Sequence, residues 1–398
     1  MAAPHRSLRT TGVAVALLCV AVGGTARAQY DPIEDRDYTI DLHQGVVLGS
    51  IDIVGMAGAA TSLAEGSVGM LANPASPAMR PATSSDTWDW DWHIDWLSPG
   101  LGSDFDNNGI TTKEEPSVAP LLTAGLVIQY KKWAFGLNAD IAKRRLILPD
   151  DSALEPSFAV GRFIVARDFG QFTAGLGVRT GAFTMTQVVD VPNKLFELTG
   201  GALEAGAIWH PGNRDLRVGV STSLPVIGEE VVVEGCDPTD CQGFILPESV
   251  QVPWRVAMGA SWRFGPTRWN RKVKGPWRDE RYLLVAADLV LQGGVDNGHS
   301  VEGFVRQELQ PSGRGISTSV RLGAEYEWLP GRLRVRGGTY YEPGRIPGVS
   351  GRMHATLGAD LRFYSFCFLG DRYRARFSLT ADIAERYGNT GVSIGLWH

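Results

Sequence analysis

Apolar and polar residues alternate from Thr87 to Trp96 in the stretch 87–97, which reads Thr-Trp-Asp-Trp-Asp-Trp-His-Ile-Asp-Trp-Leu. Trp88, Trp90, Trp92, Ile94 and Trp96 share one parity, and Asp89, Asp91, His93 and Asp95 share the other. In a β-strand parity is face, so one face here is apolar and aromatic and the other polar. A soluble sheet would lay the apolar face on a core. A membrane barrel would turn it to lipid and the polar face to a lumen.

The alternation recurs. Trp254, Val256, Met258, Ala260, Trp262 and Phe264 share a parity, as do Val320, Leu322, Ala324, Tyr326 and Trp328. So do Met353, Ala355, Leu357, Ala359, Leu361 and Phe363, and then Tyr373, Ala375, Phe377, Leu379, Ala381 and Ile383. Fourteen such segments can be drawn: 87–97, 119–130, 132–146, 157–168, 171–186, 200–210, 215–226, 252–264, 281–292, 316–328, 332–342, 353–367, 371–385 and 390–398. Ladders of ~9–15 residues suit tilted membrane strands, and an even number closes with both ends on one side. The pattern predicts an all-β membrane protein, a 14-stranded antiparallel outer-membrane β-barrel over residues 87–398.

Connection lengths test this independently, because bacterial barrels have short periplasmic turns and longer outer loops. The connections after even strands are short: Lys131-Lys132, Phe169-Gly170, residues 211–214, residues 329–331 and Gly370. Those after odd strands include 98–118, 187–199, 227–251 and 293–315. One even connection, 265–280, is long and basic, with Arg268, Arg271, Lys272, Lys274 and Arg278 beside Trp269 and Trp277. It reads as a solvated or lumen-covering periplasmic loop, with partner docking as the weaker reading.

The mean hydropathy of −0.06 then averages two unlike faces. Residues 1–28 have the form of a secretory signal peptide: basic Arg6 and Arg9, an apolar stretch too short to span ~30 Å of hydrocarbon, then Ala26-Arg27-Ala28. Its loss removes three Arg, no acid and Cys19, leaving Cys236, Cys241 and Cys367, and makes a chain of net charge −5 more acidic still. Nothing in that charge invites nucleic acid.

Residues 29–86 do not alternate. They carry Gly55-Met56-Ala57-Gly58-Ala59, then Leu63-Ala64-Glu65-Gly66-Ser67, then Asn73-Pro74-Ala75. This block resembles the N-terminal signature of the FadL/TodX-type outer-membrane transporters of long-chain fatty acids and aromatic hydrocarbons. Downstream, Arg321-Leu322-Gly323-Ala324-Glu325-Tyr326 and the 253–264 strand also resemble that family. The resemblance implies a barrel plugged by an N-terminal hatch, here residues 29–86 with Gly55, Gly58, Asn73, Pro74 and Ala75 as its motif. It implies passive uptake of a hydrophobic small molecule by a monomer among outer-membrane lipids. It also implies a kink in strand three, which here holds Gly136, opening a lateral gap.

Other constellations are local. Arg332, Arg334 and Arg336, and Arg372, Arg374 and Arg376, share lumen parity near the periplasmic end, with Asp89, Asp91 and Asp95 of strand one at a similar level. Unpaired charge in a narrow lumen is costly, so an ion-pair network against the hatch is expected; reception of an anionic head group is the alternative. Asp104, Asp106, Asn108 and Gly109, with Glu115 twelfth, resemble a Ca²⁺ loop, so calcium in the first outer loop is the one cofactor considered and none is required. The other reading is a plain Asx turn. Cys236 and Cys241 lie in an outer loop in an oxidising compartment, which favours a disulfide. No G-x-S-x-G, H-E-x-x-H or C-x-x-C occurs, and no nucleophile is singled out near His93, so an enzyme is not expected. The rival to transport is a barrel that serves a secretion or assembly system by binding other proteins.

Overall fold

The computed structural model describes residues 30–81, 84, 87–100, 103–111, 121–148, 152–188, 193–229, 236–273, 277–368 and 371–397. The leader, Lys274 and Glu115 lie outside them.

Fourteen antiparallel strands close into a barrel. One half is β1 (Trp88–Pro99), β2 (Leu121–Tyr130), β3 (Trp133–Lys143), β4 (Ala153–Asp168), β5 (Phe172–Val188), β6 (Asn193–Trp209) and β7 (Leu216–Ser223). The other is β8 (Arg255–Phe264), β9 (Leu283–Gln292), β10 (Ser317–Leu329), β11 (Leu333–Glu342), β12 (Arg352–Phe368), β13 (Asp371–Ala384) and β14 (Tyr387–Leu396). Each strand pairs with its sequence neighbours, and β14 returns to β1 with Ile394 opposite Ile94. Closure leaves no open edge, which is what a backbone in hydrocarbon requires.

The alternation sets which way each face looks. On β12, Leu357 is 69% exposed and its neighbour Thr356 only 2%. The apolar parity therefore points away from the protein and the polar parity inward, the inverse of a soluble sheet. This is the architecture of an outer-membrane protein. All fourteen expected strands are present. The largest shift is at β6, which starts at Asn193, so the outer connection expected at 187–199 is mostly strand. Its early residues Leu195, Phe196 and Leu198 have a core to enter: they pack with Phe183, Phe304 and Tyr38 in a cap outside the barrel. That cap holds a small sheet of Thr39–Asp41, Val226–Glu229, Ser249–Val252 and Gly298–His299. It also holds α2 (Val301–Arg306), capped by Ser300 accepting from Gly303 N–H.

Residues between the cap and β1 run through the lumen. α1 (Ile51–Gly55) packs against β12 and β13, and a 3₁₀ turn (Ser76–Ala78) against β4 and β3. Lumen-facing glycines permit this. A Cβ at Gly206 would run into Asn73, and one at Gly175 into the Pro74 carbonyl. Gly136 likewise faces Met70 and Pro77. The ladders on both sides of β3 run unbroken from Trp133 to Lys143 or its neighbour Ala142, so no gap opens in the wall there.

Candidate functional site

The lumen segment is fastened to the wall by charge. Arg336 on β11 donates to both oxygens of Asp360 on β12, at 2.7 and 2.6 Å. It also reaches Glu325 on β10 at 2.6 Å and Asp52 on α1 at 3.1 Å. Arg376 contacts Asp52 as well, and lies 3.6 Å from Asp360. Arg334 pairs with Glu327 at 3.0 Å. Arg374 grips Asp279 of the long periplasmic turn with two bonds, 2.6 and 2.8 Å, and stacks on Trp277.

Arg334, Arg336, Arg374 and Arg376 are thus paired, with acids other than those of β1. Among the described residues no carboxylate of β1 lies within 4.0 Å of these arginines. Asp91 accepts from Ser67 N–H at 2.5 Å, Asp89 faces Tyr373 OH at 3.4 Å, and Asp95 lies 3.3 Å from His93 Nε2. Arg332 and Arg372 are exposed at the strand ends and stand outside the cluster. Of the real partners, Glu325 and Asp360 carry lumen parity in the sequence. Asp52 sits in an apolar run, Ile51 to Val54, and only its fold position reveals it.

The motif residues of the lumen segment make backbone contacts. Asn73 Nδ2 donates to the carbonyls of Thr61, Val220 and Ala207 at 2.8, 3.2 and 3.3 Å, so one side chain ties the segment to β7 and β6. Its Oδ1 accepts from Ala75 N–H. Pro74 rests on Gly175, Gly55 meets the Gly358 backbone, and Gly58 adopts φ +74 beside Arg321, a conformation that favours glycine.

Two cavities flank the segment. The periplasmic one, about 640 Å³, is lined by Met56, Leu63, Trp269, Trp277 and the paired arginines. The outer one, about 180 Å³, lies under the cap against Val47, Leu71, Phe158 and Val160. Ile53 lines both. The 265–280 turn folds inward: Trp269 is buried against Met56, Ala59 and Leu284, and its N–H donates to Asp215 at 2.7 Å. Trp269 thus brings that turn over the lumen.

His93 has an unforeseen neighbour. Its Nδ1 lies 2.9 Å from Ser67 Oγ and its Nε2 faces Asp95. Ser67 is fully buried and lines neither of the two cavities, so the trio stands apart from both. In the first outer loop, Asp104 accepts from Asn108 and Gly109 N–H at 2.9 Å each, and Asn108 Nδ2 bridges Asp106 and Glu302. Burial, then the charges of Glu302 and Asp104, push the Asp106 carboxyl well above its usual range. Arg386 and Arg352 approach Asp104 at 3.5 and 3.9 Å. Among the described residues no group of three His, Cys, Asp or Glu is arranged around a metal position. Cys236 and Cys241 form a disulfide, and Cys367 is free and exposed.

Fold and lumen together define a closed outer-membrane barrel with part of its N-terminal segment running inside it. Its fold is that of the FadL/TodX-type channels. A FadL homologue from Pseudomonas aeruginosa superposes with a TM-score of 0.54 at 14% identity, over 89% of this chain and 98% of that one. The Pseudomonas putida toluene transporter TodX gives 0.55 at 13%, over 90% and 99%. The CymD monoaromatic hydrocarbon channel gives 0.53 at 11%, over 88% and 96%. No family model matches the sequence, and no curated protein does.

Proposed function

We propose that this chain carries hydrophobic molecules passively across the outer membrane, of the fatty-acid or aromatic-hydrocarbon class, with residues 29–86 as a movable hatch. The observation that carries the reading is Ile53, one side chain between two cavities. A shift of α1 joins them into a path. The likeness to a toluene transporter and a monoaromatic hydrocarbon channel supports the substrate class. The barrel acts as a monomer and does no covalent chemistry. Water-filled pores exclude apolar solutes, so a lumen filled by an apolar-faced segment is the physical solution. Proteoliposome uptake of radiolabelled toluene and of a long-chain fatty acid tests this. Saturable uptake of either above empty vesicles is expected, and no uptake of both overturns the reading.

A further inference from the structure

Four arginines wall the outer cavity: Arg162, Arg179, Arg255 and Arg321. Arg162 is neutralised by Asp140 and Glu204. Among the described residues the other three have no carboxylate within 4.0 Å. Arg179 donates to the Leu224 carbonyl, and its Nε has no partner. Arg321 reaches only Ser319 Oγ, at 3.4 Å, and lies 5.9 Å from the Tyr340 ring centre. Arg179 and Arg321 are 8% and 7% exposed, and Arg255 is half-buried.

Among the described residues the nearby acids Asp288, Glu204 and Glu342 stay beyond 4.0 Å of these three. Asp288 accepts with Oδ2 from the N–H groups of Ala60 and Thr61. Glu342 is held by Arg352 and His354 at 2.6 and 2.8 Å. The contrast with the periplasmic half is sharp, since Arg334, Arg336, Arg374 and Arg376 all have carboxylates. Buried, uncompensated charges repel one another and lose hydration. Guanidinium groups so arranged suit an oxyanion, which accepts charge-assisted bonds from several at once.

We infer that the outer cavity is an oxyanion site formed by Arg179, Arg255 and Arg321, taking the head of an amphiphile that carries more than one negative charge. The start of its alkyl tail lies on Val47, Leu71, Phe158 and Val160. A dianionic head neutralises more of the three charges than a carboxylate, so charge on the head ranks the ligands. The inference deepens the transport reading and rests on it for the ligand's role as cargo.

Calorimetry on the full chain in nanodiscs at pH 8, with octyl phosphate, octanoate and octanol, tests it. Octyl phosphate should bind at least tenfold more tightly than octanoate, and octanol should show no saturable binding. Arg255→Gln should weaken octyl phosphate tenfold or more while the barrel keeps its heat-modifiable gel mobility. Arg179→Gln supplies the same reading should the first variant not fold. Equal binding of the three compounds, or octyl phosphate binding unchanged in both variants, overturns the inference. Toluene or fatty-acid uptake without octyl phosphate binding sinks this site and leaves transport standing. Octyl phosphate binding without uptake of any apolar solute sinks transport alone.

Discussion

Asp52 on the lumen segment and Arg336 on the barrel wall stand 3.1 Å apart, and both belong to one buried cluster with Asp360, Glu325 and Arg376. The segment is thus held to the wall by ion pairs. Asp52 belongs to the segment, while Asp360 and Glu325 belong to the wall.

Removing the wall's own acid should cost more than removing the segment's. Asp360→Asn leaves Arg336 and Arg376 buried with reduced compensation, a loss of about 3–5 kcal/mol. Asp52→Asn leaves both arginines their wall partners, a loss nearer 1.5–3 kcal/mol for one charged hydrogen-bonding group. Guanidinium unfolding in micelles, read by tryptophan fluorescence, ranks the two. An Asp52→Asn variant less stable than Asp360→Asn contradicts the assignment.

Close backbone approach gives a second test. Gly206→Ala puts a methyl where Asn73 Oδ1 now sits. Overpacking should cost about 1–3 kcal/mol and loosen the Asn73 contacts with β6 and β7. Limited proteolysis should then cut residues 29–86 faster than in the parent with the barrel intact. An unchanged cleavage rate would count against the packing described.

The cysteines report on covalent state. Without residues 1–28 the chain has three, two of them joined. Native protein should take up one equivalent of maleimide, at Cys367, and reduced, unfolded protein three. Labelling of Cys236 or Cys241 in native, unreduced protein contradicts the disulfide.

His210, in the periplasmic turn after β6, links stability to pH. Burial, then the charge of Arg217, pushes its pKa down to about 4. A base depressed in the folded state binds fewer protons folded than unfolded, so its stabilisation is complete above pH 6.5 and is lost as the pH falls towards 4. Allowing for its partial solvent access, the loss is on the order of 1–2 kcal/mol. His210→Gln should flatten the stability profile between pH 6.5 and 4, and an unaltered slope would exclude this role.

Much of the fold is legible from parity, because lipid outside and polar lumen inside impose period two on almost every strand. Trp92, Ile94 and Trp96 against Asp91, His93 and Asp95 already define both faces of β1. The start of β6 is not legible, since Leu195 and Phe196 leave the lipid pattern to enter the cap core. Parity also finds the lumen arginines but not their partners. Pairing across the lumen depends on the path of residues 45–79, which have no period, so Asp52 is invisible until α1 is in place. The cationic side of the outer cavity escapes for another reason. Arg179, Arg255 and Arg321 lie on three separate strands and meet only on closure.

Under the proposed function the lumen segment must move during transport. Ser62 on that segment and Ser261 on β8 have their Oγ atoms 2.9 Å apart, both buried. A Ser62→Cys/Ser261→Cys pair can close a bridge, which needs ~2.05 Å between sulfurs. In proteoliposomes, toluene and fatty-acid uptake should stop when the bridge is oxidised and return when it is reduced. Undiminished uptake through fully cross-linked protein would contradict the account.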